Sequence, residues 1–576
     1  MGARSRFALI VATWALGAIV AVVGAVQSRY ILSTVDGISY LSIARQYAEG
    51  HVDAAINAYW SPWVSWLSAP FIAAGIGEIL ALDLVTAGAV IVASALFARI
   101  VWMRAGRNVI LTVIALGTFY VFALGNLSLL TPDMLVVTWM ILWVSILVEV
   151  DERLGTASMR GRIVMGLVLG VAGTLGYFTK VYLVPVFLVT LLAWFIARSL
   201  AARAGARRAL VSSLLPIIGA AALTVVLTAA PWVGALSVTY QTLTIGSSIG
   251  VNVEAKFDPD AADAPVGPMV LNAPPNEYAV AYGEDRTGEI SSAVPSSAST
   301  PSLAQRVSYY LSQRIEAFPY YLVRIGSIAP FAALTAAVVF FVLIFGGRFR
   351  GRRELALIGV TWGVYFLGYA AVTSPSSRGG NARYYWPLLV LALLMAAILI
   401  PEVWRRYVAG RGRGRAIAAI LAFALIPAGA IWQHGAGEGA PFSSETPLSG
   451  VGYLFKKAQP MREATFAAES LAPLIPEGSK IVGSNYRAAL RYAYYLHAQI
   501  YGRSAQGYRL DDPAFQSLMR DAGISYYLRF TPAAEEPAAI GGAGQVVGTF
   551  TEQVTCADEK RAIVEACVID VIRVGS

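Results

Sequence analysis

The chain has 576 residues, of which 57% are hydrophobic and only 14% charged, with a mean hydropathy of +0.61. A soluble domain cannot hide that much apolar surface, whereas a bilayer can, so the composition excludes an ordinary soluble globule. The net charge of +9 invites a nucleic-acid reading, but the arginines lie in short clusters between apolar runs: Arg104/Arg107, Arg153/Arg160/Arg162, Arg198 to Arg208, Arg348 to Arg353 and Arg405 to Arg415. Alternate loops carry them and the intervening loops do not. That is the positive-inside pattern of a polytopic membrane protein, and it argues against a nucleic-acid partner.

In chain order, Arg4 and Arg6 precede an apolar stretch from Phe7 to Val26 that resembles a secretory signal. At about 20 residues it is long enough to span, so it reads as a retained signal-anchor with Met1 to Arg6 cytoplasmic. The apolar runs predict about 11 spans in all, near 7–28, 82–103, 108–125, 132–150, 163–178, 181–199, 209–232, 321–346, 355–373, 385–401 and 415–433. An odd number places the N-terminus in the cytoplasm, the C-terminus outside and every arginine cluster in the cytoplasm. The segment Trp63 to Gly77 is apolar but short and interrupted by Pro70, so it reads as an interfacial or re-entrant helix.

Three outer segments remain. The first, residues 29–82, carries Asp36 and Tyr40 and then the aromatic belt Tyr59, Trp60, Trp63 and Trp66. The second, 234–320, is rich in Pro, Ser and Ala and reads as loop with a short helix from Leu303 to Phe318. Its group Asp258, Asp260 and Asp263 reads as a solvated acidic loop, while Glu284 and Asp285 are candidates to face a substrate groove. The third is the tail, where charges rise and apolar runs shorten. Residues 1–433 are thus expected to form the membrane domain and 434–576 a small extracytoplasmic α/β domain. In that domain Ser479 to Gly483 and Ile524 to Arg529 read as strands, Ala514 to Ala522 as a helix, and Val546 to Thr555 with Ile563 to Val574 as a closing hairpin. Cys556 and Cys567 fall on that hairpin, where an oxidising compartment permits a disulfide staple, the alternative being two free thiols. His51, His434 and His497 lie far apart, so nothing has zinc-ligand spacing.

The residues that point to chemistry gather at the predicted outer face. Asp36 lies just beyond the first span. Asp133 opens a later one in Thr131-Pro132-Asp133, which also reads as a helix start with Thr131 as N-cap and Pro132 at the first helical position. Lys180 is one of six lysines and is flanked by spans; it reads either as a snorkelling turn residue or as a phosphate partner at the membrane boundary. Arg378 and Arg383 break the charge rule in an outer loop that continues into Tyr384, Tyr385 and Trp386. They read as interfacial anchors or as a bidentate phosphate clamp. Two acids and several bases on one membrane face suit a lipid-linked anion.

The order of these elements resembles the GT-C membrane glycosyltransferases. An Asp stands in the first outer loop, followed by the aromatic/Pro element Tyr59-Trp60-Ser61-Pro62-Trp63. Thr131-Pro132-Asp133 opens a span, Thr179-Lys180 forms a turn, and Arg383-Tyr384-Tyr385-Trp386-Pro387 precedes a late span. The likeness covers about residues 1–430 and is greatest to the bacterial branch related to aminoarabinose transferases and protein O-mannosyltransferases. It implies a multi-pass protein of the bacterial plasma membrane. It also implies transfer of a sugar, with inversion, from a polyprenyl-phosphate donor to a glycan, lipid or protein acceptor outside the cell. Asp36 would then be the general base, Asp133 would orient its neighbours or bind the sugar, and Lys180, Arg378 and Arg383 with Tyr384 and Tyr385 would hold the departing phosphate. Tyr40, Tyr59, Trp60 and Trp63 would line the groove. The first-loop acid is a single Asp followed by Gly, where relatives carry a pair of acids, so the reading leans against a divalent metal and needs no other cofactor. The rival class is a lipid or solute transporter, which would bury ionisable residues at mid-bilayer and show related halves; neither is evident here.

Overall fold

The computed structural model describes residues 3–32, 34–104, 107–124, 127, 129–201, 204–248, 250–251, 270–287, 308, 311–312, 315–316, 330–345, 351–372, 382–403, 468–503, 508–535, 537, 540, 544–554 and 565–574. The long helices are α1 (Ala3–Ser28), α5 (Glu78–Arg104), α6 (Val109–Leu124), α7 (Asp133–Arg153), α8 (Met159–Thr179), α9 (Leu183–Ala201), α10 (Ala204–Thr239), α11 (Pro330–Phe345), α12 (Arg352–Val372) and α13 (Trp386–Val403). Each coincides with an expected span; the remaining one, 415–433, lies outside the described residues. By length and composition 6 helices are apolar enough to cross a membrane: those at Arg4–Ser28, Glu78–Arg104, Asp133–Arg153, Met159–Thr179, Leu183–Leu200 and Leu210–Thr239. The chain is a multi-pass membrane protein.

Between α1 and α5 lie three shorter helices: α2 (Val35–Ala48), the single turn α3 (Val52–Ala55) and α4 (Trp63–Ala73). α4 has 11 residues with Pro70 inside. It is therefore about 16 Å long, half of what a crossing needs, in keeping with the interfacial reading of Trp63 to Gly77.

The spans pack through small residues. Gly166 and Gly170, one turn apart on α8, lie against the backbone of α10, where an added Cβ would strike Ile217 O and Ala221 O respectively. In a bilayer there is little hydrophobic gain from helix contact, so such close approach supplies the dispersion that holds the pair. A further Cβ on Gly176 would meet the Trp139 indole of α7.

The arginine-rich ends share one end of the bundle. Arg104, at the end of α5, pairs with Glu152 of α7 and, at 3.0 Å, with Glu354 of α12. Arg198 of α9 pairs with Asp151 at 2.8 Å, and Arg99 with Glu149 at 3.5 Å. The N-terminal end of α7 and the C-terminal end of α8 lie opposite.

The tail builds a sheet of order β2-β1-β3-β5-β4 from β1 (Lys480–Gly483), β2 (Gln499–Ile500), β3 (Tyr526–Pro532), β4 (Gly544–Val554) and β5 (Glu565–Val574). β1 is parallel to β2 and β3, whereas β3, β5 and β4 run antiparallel. Helix α14 (Tyr486–Tyr495) connects β1 to β2, and α15 (Pro513–Ala522) precedes β3. Both start on side-chain caps, Asn485 accepting from Ala488 N at 3.2 Å and Asp512 from Ala514 N at 2.9 Å. α15 ends at Gly523 with φ of 66°, a left-handed cap. The two expected strands, the helix and the closing hairpin are all present; α14 and β2 were not anticipated. Cys567, on β5, is buried and disulfide-bonded; Cys556 lies outside the described residues.

This domain does not hang free of the bundle. Leu32, Ile38, Tyr40 and Leu41 share one buried cluster with Leu490, Ile500, Leu528 and Ile569. The strip 270–285 of the second loop stitches along β2: Ile500 N donates to Val280 O at 2.8 Å and Gly502 N to Asn272 O at 2.9 Å. The expected helix Leu303 to Phe318 falls largely outside the described residues, as do Asp258, Asp260 and Asp263.

Candidate active site

The site starts where the chain reverses into α7. Leu130 takes a left-handed backbone (φ 53°), and the helix begins at Asp133 with Pro132 as its N-cap. The expectation had Thr131 at the cap. The helix instead starts one residue later, so the Thr131 hydroxyl donates at 2.6 Å to the Asp133 carboxylate rather than accepting from a backbone N–H. Asp133 is 3% exposed and sits in the first turn, where the helix dipole favours its charge. Its second oxygen accepts from Lys180 Nζ at 3.2 Å.

Lys180 reaches Asp133 from the turn that ends α8, where its backbone N–H closes the helix on Gly176 O. Its ammonium lies 5.1 Å from the Tyr384 ring and 6.0 Å from the Tyr369 ring, distances at which the aromatic faces attract a cation. Tyr369 stacks on Tyr384 at 5.1 Å and packs on Tyr182 at 4.4 Å and Tyr365 at 4.8 Å. The Tyr182 hydroxyl donates to Tyr365 O at 2.7 Å. Burial is the largest single influence on Lys180 and works against its charge, but the Asp133 carboxylate together with the surrounding tyrosines holds the amine well above its ordinary value.

Asp36 lies in the first turn of α2 and is half-buried. Thr34 caps that helix, accepting from Gly37 N at 2.9 Å and donating to Leu129 O at 3.1 Å. Gly37 is required by proximity: a Cβ there would stand 2.8 Å from Leu130 Cβ. The turn bearing Asp36 is thereby pressed against the reversal that carries Asp133. Tyr40, one turn further on, lies near Lys180.

The aromatic belt forms one wall. Trp60 packs on Tyr40 at 5.0 Å and edge-on to Tyr59 at 4.6 Å, and its indole N–H donates to Gly283 O at 3.0 Å. Trp63 meets Trp66 at 6.5 Å. Ser61 Oγ accepts from Val181 N at 3.1 Å, which joins the belt to the Lys180 turn. Arg286, not singled out from sequence, lies 5.4 Å over the Tyr59 ring and donates to its hydroxyl at 3.1 Å.

Asp285 accepts from the Tyr240 hydroxyl at 2.6 Å and from Thr287 N at 2.9 Å. Glu284 is 1% exposed. Its carboxylate takes the N–H groups of Val280 and Ala281 at 2.6 and 3.1 Å and the Gln46 amide at 3.2 Å. These bonds place it beneath the loop, folded onto α2, rather than along a groove. Burial pushes its carboxyl up to about 7, opposed by hydrogen bonds from Ser42 and the two N–H groups and by the Arg45 charge. Tyr385 is buried in the main core. Arg383 belongs to the 3-10 turn Ala382–Tyr385 that delivers Tyr384 to Lys180, but its side chain lies outside the described residues, as does all of Arg378.

The structure thus brings together Asp133, Lys180, Tyr40 and Tyr384, and sets the turn that bears Asp36 against the reversal before Asp133, from four separate stretches. Tyr182, Tyr365 and Tyr369 complete the surround and were missed; the Tyr365/Tyr369 spacing of one helical turn was the available signal. A lysine fixed by one carboxylate and faced by rings keeps its remaining N–H directions for an anionic oxygen. Among the described residues, no group of three His, Cys, Asp or Glu is placed to hold a metal ion.

No family model matches the sequence, and no curated protein matches it. Two solved structures share the architecture: ArnT from Cupriavidus metallidurans bound to undecaprenyl phosphate, and the same protein in the apo state. Each match has a TM-score of 0.50 and 14% identity, covering 99% of this chain and 98% of that one. At this identity the likeness is one of fold: the chain shares the ArnT fold, and the match takes in the tail domain as well as the helix bundle.

Proposed function

We propose that this chain is a GT-C glycosyltransferase that moves a sugar from a polyprenyl-phosphate carrier to an envelope acceptor on the extracytoplasmic side. The observation that carries the reading is the Asp133–Lys180 pair under the Tyr369 and Tyr384 rings, set beside Asp36 at the end of the bundle opposite the arginine clusters. The fold it shares with an ArnT bound to undecaprenyl phosphate supports a lipid-phosphate donor.

In this reading Asp36 accepts the proton of the acceptor hydroxyl as its oxygen attacks the anomeric carbon, inverting it. A carboxylate cannot remove that proton beforehand, so proton transfer accompanies attack. The leaving group is a lipid phosphate, which departs as an anion and requires a cation rather than a general acid; Lys180 supplies it. Asp133 holds Lys180 charged and aimed, a role more direct than orienting the neighbours of Asp36. Arg378 and Arg383 are further phosphate partners. The N-terminus is cytoplasmic and the tail domain extracytoplasmic, and the reaction needs no metal.

The test is to supply the purified protein in lipid with radiolabelled polyprenyl-phosphate sugars and a cell-envelope acceptor fraction. Transfer or release of label from one donor supports the reading. Binding of none of the carriers, and turnover of none, would send the protein to the transporter class.

A further inference from the structure

The helix that carries Asp36 is held at its far end by the tail domain. α2 has 14 residues, and it is buried continuously from Gly37 to Gln46. Arg45, on its last turn, is 6% exposed. Its Nη1 lies 3.6 Å from Glu78 Oε1 at the start of α5, and its guanidinium is 5.7 Å from the Tyr494 ring of α14. The Tyr494 hydroxyl donates to the other oxygen of Glu78. One carboxylate of the membrane bundle therefore ties the last turn of α2 to the tail domain. Gln46 beside it bonds Glu284, whose own loop is stitched to β2.

We propose that Arg45, Glu78 and Tyr494 are positioning residues through which the tail domain sets the placement of Asp36. The inference rests on the glycosyltransfer reading for its consequence, though not for its geometry. α2 is held at its first turn on Leu129 and Leu130, along its middle by α4, where Ser65 Oγ donates to Tyr40 O at 3.0 Å, and at its last turn on Glu78 and Tyr494. Asp36 and Arg45 stand about 14 Å apart along it. A tilt of about 4° at the Arg45 end shifts the Asp36 end by about 1 Å, and a misplacement of that size can cost on the order of 100-fold in rate. The tail would thereby act on the reaction without touching the sugar or the phosphate.

The experiment uses the full-length protein in lipid and the variant Tyr494→Phe, which keeps the ring and removes only the hydroxyl. Two readouts are taken: amide hydrogen exchange along residues 34–48, and kcat and donor KM with whichever polyprenyl-phosphate sugar the wild type uses. The proposal expects faster exchange reaching residues 35–40, a kcat lowered about 10-fold or more, and an unchanged donor KM and melting temperature. Exchange that rises only in the tail domain and residues 45–49, or a kcat that falls only in step with the melting temperature, would overturn it. Should Tyr494→Phe fail to fold, Glu78→Gln, which keeps an acceptor for the hydroxyl but removes the charge facing Arg45, gives the same readouts. If the wild type turns over no donor, the glycosyltransfer reading fails, while exchange spreading to residues 35–40 still supports the coupling.

Discussion

The two ends of the helix bundle use charge differently. At the arginine-rich end four arginines meet carboxylates: Arg104 with Glu152 and Glu354, Arg99 and Arg153 with Glu149, and Arg198 with Asp151. These are cross-links between helix ends, and their signs balance. At the other end Lys180 has one carboxylate and two aromatic faces around it, with a second acid, Asp36, on a neighbouring turn. Those pairs hold helices together; an ammonium bonded to a single carboxylate and otherwise faced by rings keeps further N–H donors and can still take an anionic ligand. The same residue types thus serve architecture at one end and, in our reading, chemistry at the other.

The comparison is broken most sharply by removing one cation from each end. Lys180→Met should lower sugar transfer by on the order of 1,000-fold, the scale of losing a principal electrostatic contact to a developing anion, while the helices still assemble. Arg104→Met should leave turnover per folded molecule unchanged. It strands Glu152 and Glu354, and its cost of about 2 kcal/mol falls on stability, read as a lower melting temperature in lipid. Similar losses of turnover from both variants would erase the distinction between the ends.

A smaller effect sharpens the link between the second loop and α2. The Glu284 carboxyl is raised from 4.5 to about 7, so the folded protein binds that proton more tightly than the unfolded chain does. Its contribution to stability is full below about 4.5 and is lost as pH rises through about 7; the difference amounts to about 3 kcal/mol. Unfolding followed between pH 4 and pH 8 should show that decline, and Glu284→Gln should flatten it. An unchanged slope in the variant would assign the decline elsewhere. Smallest of all, a chelator should leave turnover unchanged, because the phosphate is met by Lys180; loss of turnover restored by a divalent ion would contradict that.

Much of this architecture was legible because bilayer insertion leaves a coarse signature. Apolar runs of span length gave the helices, Pro70 and the shortness of its run gave α4, and alternation gave the hairpin β4–β5. Within the site, Asp133 and Lys180 could each be singled out because a charge beside a span is costly. Their pairing could not, since 47 positions separate them and nothing local records contact. Tyr182, Tyr365 and Tyr369 were hidden for another reason: tyrosines within apolar spans look like core or interface. Glu284 and Asp285 read alike as neighbouring acids, yet one folds under its loop and the other meets Tyr240, a difference set by backbone N–H groups rather than by residue type. Helix α14 was missed although it is amphipathic, because four of its ten residues, Tyr486, Tyr492, Tyr494 and Tyr495, are of a type that favours strands.

The central claim is that Asp36 takes the acceptor's proton beside a Lys180 that holds the lipid phosphate. The most direct measurement compares wild type with Asp36→Asn, recording sugar transfer from the polyprenyl-phosphate donor together with binding of undecaprenyl phosphate. The account predicts transfer lowered about 1,000-fold or more with lipid-phosphate binding unchanged, because the amide keeps the shape of the side chain but cannot accept the proton. Transfer at the wild-type rate in Asp36→Asn would contradict it.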